Sequence, residues 1–153
     1  DRTVSRGLGD VYKRQIERDH DKAHVITDFI RKGFETGVID MMTDGTEARE
    51  FLYAEDCCEA LETVMGNYDR LNSDDELHIT TGSHTTILEI AEIIKRLFSN
   101  IGKDVVIQPA ESKDEVQKDA RNVPDPYIQN FWKSKTSVKE GITKVFEEMK
   151  KDF

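Results

Sequence analysis

The residues best suited to bind an anion stand in one short stretch of the sequence. Arg49 follows an Asp44–Gly45 pair by four residues. Glycine adopts positive φ at little steric cost, so the pair predicts a tight turn. An arginine beside a turn can present its planar set of N–H donors to a phosphate or carboxylate. The alternative is a surface ion pair of Arg49 with Glu47, Glu50 or Asp56, which would contribute little stability.

The net charge of the chain decides which ligands need a dedicated site. The formal charge is −9 at pH 7 over 153 residues, which argues against nucleic acid and anionic membranes as partners. A phosphate-bearing ligand would need local positive charge, and this gives Arg49 and Arg121 their interest. No apolar run reaches the length of a membrane span. The adjacent Cys57 and Cys58 lack metal-ligand spacing with a histidine. We therefore expect no metal site and a cytoplasmic protein.

The elements that must position these residues follow from apolar spacing and turn signals. The sequence predicts five helices: over His24–Phe34, from Glu55–Asp56, from Thr86, at Pro126 and from Ser137. It also predicts short strands or extended pieces at Val38–Met42, Phe51–Tyr53, Glu76–Thr80 and Asp104–Gln108. The helices from Thr86 and Ser137 each begin with a capping box, since a glutamate stands three residues after the hydroxyl side chain.

The helix that follows Glu55–Asp56 has an apolar face with helical spacing. That face consists of Cys57, Ala60, Leu61, Val64 and Met65. Positions at i, i+3, i+4, i+7 and i+8 share one side of a helix. We expect this side to be buried.

The run from Thr43 to Asp56 resembles a motif of the extended short-chain dehydrogenase/reductase family, the NAD-dependent sugar-nucleotide epimerases and dehydratases. The family pattern is G-D-G-x-x-x-R-D-F-x-Y-V-x-D. The present run departs from it at Thr43, which replaces a glycine, at Glu50, which replaces an aspartate, and at Ala54, which replaces a valine.

Two later segments resemble further motifs of the same family, in the same order along the chain. Thr81–Ala91 is similar to N-x-G-x-x-x-S-x-x-E-x-A, where a strand meets a helix. Arg121–Ile142 is similar to R-x-x-D followed by L-G-W-x-P-x-x-S-x-x-E-G-I. In this last segment Phe131 occupies a glycine position and Ser134 replaces a common proline. The three motifs together cover most of the chain.

The resemblance implies that three charged side chains contact the substrate. In the family the arginine at the position of Arg49 contacts the nucleotide diphosphate or its sugar. Arg121 and Asp125 are implied to contact the ligand in the same way. The alternative for these two is that they pin the loop around Pro124.

The resemblance also implies substrate contacts at a helix start and beside a strand. His24 and Val25 align with family residues that precede a helix and face the diphosphate, where free backbone N–H groups suit phosphate oxygens. A solvent-facing His24 is the alternative. Tyr53 either lines the nucleotide pocket or covers the strand.

The catalytic signatures of the family are absent from this sequence. None of the four tyrosines is followed four positions later by a lysine, and Gly7–Gly9 is too short a glycine cluster for a dinucleotide loop. The resemblance therefore implies an α/β fold that is the C-terminal, substrate-binding half of an extended short-chain dehydrogenase/reductase. It would have short strands, about four to five helices and an incomplete Rossmann fold.

The expected partners follow from the same resemblance. The intact parent would be a homodimer that holds NAD on an N-terminal Rossmann domain missing here, and it would act on a nucleoside-diphosphate sugar. This chain alone is expected to bind no NAD and to be inactive. The competing interpretation is a free-standing α/β binding or interaction module.

Residues 1–15 differ in character from the rest of the sequence. They are basic and lack any helical or alternating apolar period. We expect them to be a non-native or degraded segment, with residues 16–153 forming the substrate-binding domain. The alternative is that they are a degraded form of a strand end of the family.

Overall fold

The structure, a computed structural model, describes residues 24–71, 77–114 and 124–153. Within these ranges it contains four α-helices and four three-residue strands. In chain order they are α1 (Val25–Glu35), β1 (Val38–Asp40), β2 (Ala48–Glu50), α2 (Ala54–Gly66), β3 (His84–Thr86), α3 (Ile87–Asn100), β4 (Val106–Gln108) and α4 (Val138–Met149). Short 3₁₀ helices lie at Tyr68–Arg70, Pro126–Asn130 and Lys150–Asp152. The predicted α/β fold with short strands and about four to five helices is confirmed.

The strands form two separate pairs. β1 and β4 are parallel, with Ile39 opposite Ile107. Between them in sequence lie β2, α2, β3 and α3, so the pairing closes a long crossover. β2 and β3 are antiparallel, with Arg49 opposite Thr85. The second pair is the one that carries the arginine of interest.

The main core forms where α1, α3 and α4 pack against β1 and β4. Its buried side chains are Phe29, Ile30, Ile39, Met41, Ile87, Ile90, Ala91, Ile94, Phe98, Val105, Ile142, Phe146 and Met149. Three aromatic rings join the helices, because Phe34 lies 4.7 Å from Phe98 and 5.4 Å from Phe146 between ring centroids. α1 approaches α3 closely at Gly33, where a β-carbon would lie 2.2 Å from a Phe98 ring atom.

The predicted helix boundaries have clear local causes. Thr86 Oγ1 accepts a hydrogen bond from Glu89 N, and the Glu89 carboxylate accepts one from Thr86 N. Ser137 and Glu140 form the same reciprocal pair at the start of α4. Both predicted capping boxes are therefore confirmed, and each satisfies backbone donors that a helix start leaves unpaired.

A second, smaller apolar cluster lies under α2. Ala60, Ile128 and Trp132 are buried there, and Leu52, Val64 and Ile79 pack against them. The indole nitrogen of Trp132 is buried without a hydrogen-bond partner among the described residues. This cluster shares no buried residue with the main core.

The structure corrects two of the strand predictions. The strand predicted at Glu76–Thr80 is wrong over its described residues 77–80, which have no ladder partner there; the strand lies instead at His84–Thr86. The short strand near the arginine is Ala48–Glu50, just before the predicted Phe51–Tyr53 piece. Strands of this length depend on a partner, which apolar alternation alone does not identify.

The expected burial of the α2 face is also corrected. Ala60 is fully buried and Val64 is half-buried, but Leu61 is 44% exposed and Met65 is 76% exposed. The second cluster is too small to cover both sides of the face. Half of an apolar helix surface is therefore left in contact with solvent.

Candidate functional site

The predicted turn before Arg49 is formed as expected. Asp44 Oδ1 accepts hydrogen bonds from Thr46 N at 3.0 Å and from its hydroxyl at 2.7 Å. These two bonds lower the pKa of the Asp44 carboxyl. Gly45 has φ 76° and is buried; a β-carbon there would lie 2.3 Å from Met41 Cε. Only glycine suits both the backbone and the space.

The turn is tied directly to the start of α3. Leu88 N donates to Gly45 O at 3.0 Å, and Ile87 N donates to Glu47 O at 3.1 Å. The first N–H groups of α3 are thus used by the backbone of this segment rather than left for a ligand. The direction in which β2 leaves the turn is fixed by these bonds.

Arg49 lies in β2 with about half of its side chain exposed, at 47%. Its Nη2 atom donates to Asp114 Oδ2 at 3.1 Å. The ion pair considered from sequence was with Glu47, Glu50 or Asp56, whereas the structure pairs Arg49 with a residue 65 positions away. The guanidinium therefore faces an acceptor while retaining solvent access.

Residues 110–114 bring that acceptor into position. Ala110 N donates to Thr43 O at 3.0 Å, and Asp44 N donates to Ser112 O at 2.8 Å. The Ser112 hydroxyl donates to Met42 O at 2.7 Å. This segment lies in the polar region after β4, and no motif or apolar period in the sequence indicated that it packs on the turn.

Asp56, the last residue of the opening motif, holds together two distant parts of the chain. Its Oδ2 atom accepts hydrogen bonds from the Ser134 hydroxyl at 2.9 Å, from Lys135 N at 3.0 Å and from Thr136 N at 2.8 Å. Its Oδ1 atom accepts from the Thr136 hydroxyl at 3.0 Å. The sequence analysis placed Asp56 at a helix start and named it as one alternative ion-pair partner of Arg49, and it missed this role.

The ionisation of Asp56 reflects two opposed effects. Burial acts to raise the pKa of its carboxyl, but the hydrogen bonds from Thr136, Ser134 and Lys135 outweigh it, and the pKa is lowered. The side chain is 5% exposed. Asp56 is thus a buried carboxylate held in the charged form by neutral donors.

An open cleft of about 830 Å³ lies between β3, α3 and the segment 134–140. Thr85, which lies opposite Arg49 in the ladder, lines it. Its wall carries three basic and three acidic side chains, which balance in formal charge: Arg96, Lys135, Lys139, Glu89, Glu92 and Glu140. The starts of both α3 and α4 border the same cleft, although their capping glutamates already occupy the cap donors.

Two of the other predicted site residues lie at helix starts. His24 is exposed at the N-cap of α1, and its carbonyl accepts from Asp28 N at 2.9 Å. Val25 is the first residue of α1 and packs against the main core. Neither residue lines the large cleft.

Tyr53 and Asp125 lie at other helix starts. The Tyr53 ring stacks beside Gly141 and under the Lys144 ammonium, 4.5 Å from the ring centroid. Asp125 accepts from Tyr127 N at 2.8 Å as the cap of the Pro126–Asn130 3₁₀ helix, and lines a smaller cavity of about 450 Å³. Arg121 lies outside the described residues, so its expected contact with the ligand stays a prediction.

The described residues do not fit an NAD diphosphate. Such a site needs a glycine-rich turn that leads from a strand into the free N-terminus of a helix. β3 does lead into α3, but through Thr86 rather than glycine, and Gly45, Glu47 and Thr86 already accept from the first N–H groups of the helix.

The described residues contain neither a metal-binding group nor a membrane-spanning helix. No group of three or more His, Cys, Asp or Glu side chains there is placed to hold a metal ion. In the same ranges, no helix combines the length and the apolar character needed to cross a membrane.

Comparison with known proteins points to one family. The sequence profile of the NAD dependent epimerase/dehydratase family matches residues 7–80, which include the turn, Arg49 and Asp56 and make up just under half of the chain. The chain is similar to this family. Curated relatives extend the similarity over a longer range, because GDP-L-fucose synthase from Sinorhizobium fredii (strain NBRC 101917 / NGR234) is 28% identical over 90% of the chain.

Two further similar proteins extend the comparison. GDP-L-colitose synthase from Yersinia pseudotuberculosis is 24% identical over 88% of the chain. The crystal structure of a GDP-6-OMe-4-keto-L-xylo-heptose reductase from C. jejuni has a TM-score of 0.69 at 19% identity, over 88% of this chain and 50% of that one. The chain spans 43% and 44% of the length of the two curated relatives. The partial fold inferred from sequence agrees with this coverage.

Proposed function

We propose that this chain is the sugar-nucleotide-binding portion of an NAD-dependent epimerase or dehydratase. The observation that carries the proposal is the setting of Arg49. The turn at Gly45 is hydrogen-bonded to α3 and precedes β2, which carries Arg49. The half-exposed guanidinium of Arg49 already binds the carboxylate of Asp114 at 3.1 Å. The same group is suited to hold a diphosphate.

A diphosphate would have to displace Asp114 from Arg49. The Arg49 side chain is 47% exposed but that of Asp114 only 14%, so water screens the guanidinium more strongly than the carboxylate. A diphosphate offers more acceptor oxygens than one carboxylate and can take two guanidinium N–H bonds at once. Since the chain as a whole repels anions, the binding energy would come from local contacts such as this one.

The identity of the ligand follows from the relatives by analogy. Both curated relatives described above are named as synthases of GDP-sugars, so a GDP-sugar is the first substrate class to test here. The sequence contains no Tyr-x-x-x-Lys pair, and we propose that the proton-transfer residues, the NAD site and the homodimer contacts belong to a part of the family fold that this chain does not span. The same assignment predicts a cytoplasmic enzyme.

Binding of nucleotides to the purified chain tests the proposal. Titration by calorimetry with GDP, UDP and NAD should show binding of a nucleoside diphosphate. Arg49→Ala should weaken it roughly tenfold to a hundredfold, the equivalent of a lost charge-assisted bond of about 1.5–3 kcal/mol. Arg70→Ala is the matched control, because Arg70 is exposed and its guanidinium donates to Asn67, three residues away, at 3.2 Å.

Two outcomes would contradict the assignment. One is an equal affinity of the wild-type chain and the Arg49→Ala variant for the nucleotide. The other is tight NAD binding with no nucleoside diphosphate binding, since the described residues offer no dinucleotide turn. Loss of binding in the Arg70→Ala control would point to a general charge effect and would also count against the site.

A further inference from the structure

The exposed side of α2 carries a continuous apolar stripe. We define the α2 stripe as Ala54, Cys58, Leu61, Met65 and Tyr68, all of which are exposed. The spacing of four, three, four and three residues keeps them on one side of the helix and of the 3₁₀ turn that follows it. Leu61 is 44% exposed, and Met65 and Tyr68 are each 76% exposed.

The stripe is the uncovered half of a face whose other half is already packed. Ala60 and Val64 contact Ile128 and Trp132 in the second cluster, and the stripe lies beside them around the helix. Large exposed apolar side chains that occur singly need no explanation, but a contiguous row of this kind marks an interaction surface.

The charges along the stripe limit what can cover it. Glu55 and Glu62 follow one edge of the stripe, and Asp69 extends that edge beyond the helix; all three are exposed. In an antiparallel pair of two copies, the same edge of each helix meets its counterpart, which would bring these carboxylates together. Like charges at such positions are destabilising. A second copy of this chain is therefore a poor occupant, and a partner with lysine or arginine beside an apolar surface is a good one.

The candidate partner for the α2 stripe is the part of the relatives' fold that this chain does not span. The chain spans only 43% of S. fredii GDP-L-fucose synthase, so more than half of that fold has no counterpart in this chain. We propose that the α2 stripe docks the remaining part of the family fold through an apolar surface edged with basic residues. This inference rests on the proposed function and adds the surface by which the two parts would meet.

The thiol of Cys58 provides a probe on the stripe itself. It is a free, exposed cysteine, and the variant Cys57→Ala removes its half-buried neighbour. The experiment mixes the chain with the separately expressed part of S. fredii GDP-L-fucose synthase that has no counterpart here. Co-elution in size-exclusion chromatography and the rate of Cys58 alkylation are then measured.

The proposal predicts a one-to-one complex and at least a tenfold slower alkylation of Cys58. Leu61→Glu should abolish both effects, and Glu62→Lys should weaken the complex at low salt. Met42→Glu is the control, because Met42 is 90% exposed and lies off the stripe. Circular dichroism checks that each variant is folded, and Glu62→Lys keeps the test valid if Leu61→Glu does not fold.

Three results would overturn the proposal: the absence of a complex, a complex in which Cys58 remains reactive, and protection of Cys58 that depends only on the concentration of this chain. The last would show self-association instead. Failure of docking is separable from failure of the proposed function, because nucleotide binding to Arg49 is measured on the isolated chain. A stable complex without nucleotide binding would leave the docking surface standing and refute the ligand.

Discussion

Replacement of Asp56 should destabilise the fold more than the loss of any exposed carboxylate. In Asp56→Ala, the backbone N–H groups of Lys135 and Thr136 lose their acceptor. An unpaired buried donor costs about 1–3 kcal/mol. Since this segment is only partly buried, water can reach part of it, and we expect a total loss of about 2–4 kcal/mol in the free energy of unfolding. That is a large fraction of the stability of a small domain.

The variant Asp56→Asn separates the charge of the side chain from its shape. The amide oxygen can occupy the place of Oδ2 and keep three of the four hydrogen bonds, while the Thr136 hydroxyl rotates to accept from the amide nitrogen. Bonds to a neutral acceptor are weaker than bonds to a carboxylate. We expect a loss of about 1–2 kcal/mol, between wild type and Asp56→Ala.

The pH dependence of the same variant gives an independent check. The folded-state pKa of Asp56 is lowered, so its contribution to stability is present above the unfolded pKa of about 3.9 and is lost as pH falls through the folded pKa. The difference in unfolding free energy between wild type and Asp56→Asn should therefore be constant from about pH 5 to 8 and shrink below about pH 4.

Urea denaturation followed by circular dichroism measures these quantities. Asp69→Ala is the control, because Asp69 is an exposed carboxylate close to the end of the same helix; its effect should stay within about 0.5 kcal/mol. Equal losses for Asp56→Ala and Asp69→Ala would refute the reasoning. So would an Asp56→Asn difference that grows towards low pH, because the sign of the linkage would then be wrong.

Two further predictions concern packing and thiol chemistry. Gly33→Ala should destabilise the chain by about 1–3 kcal/mol, because the new methyl group would meet the fully buried Phe98 ring. A methyl group at Gly66 would meet nothing within 4 Å, so Gly66→Ala should be neutral or stabilise the chain by up to about 1 kcal/mol. Urea denaturation measures both variants, and equal effects would contradict this prediction. Burial, with a smaller effect of Cys58, raises the pKa of the Cys57 thiol, so at pH 8 a thiol reagent should label Cys58 first. The fast phase of labelling should therefore vanish in Cys58→Ser. Loss of the fast phase in Cys57→Ser instead would contradict this prediction.

The sequence predicts well those elements whose cause is local. Both capping boxes and the Asp44–Gly45 turn need only residues within four positions of each other, and all three form as expected. α3 buries Ile87, Ile90, Ala91, Ile94 and Phe98, whose spacing also depends only on nearby residues. A motif that spans fourteen residues likewise indicated the family without knowledge of its surroundings.

The predictions that failed depend on distant parts of the chain. The sequence predicts a strand at residues 77–80, but a strand requires a neighbouring strand to pair with. None pairs with these residues among the described part of the chain. Burial of Leu61 requires a covering surface on that side of α2. The partner of Arg49, Asp114, comes from a polar segment without periodicity, and Asp56 bonds to residues almost eighty positions away. Such contacts leave no signature in local spacing.

The parallel pairing of β1 with β4 has a consequence for folding during synthesis. α1 leaves the ribosome before α4, and its buried side chains Phe29 and Ile30 pack in a core completed by Phe146 of α4. More than a hundred residues separate them, and translation at about 5–20 residues per second needs roughly 5–20 s to cover that distance. For this interval the apolar side of α1 lacks the cover that α4 supplies. The nascent chain is therefore an expected client of chaperones that bind exposed apolar segments, and slower translation would lengthen its exposure.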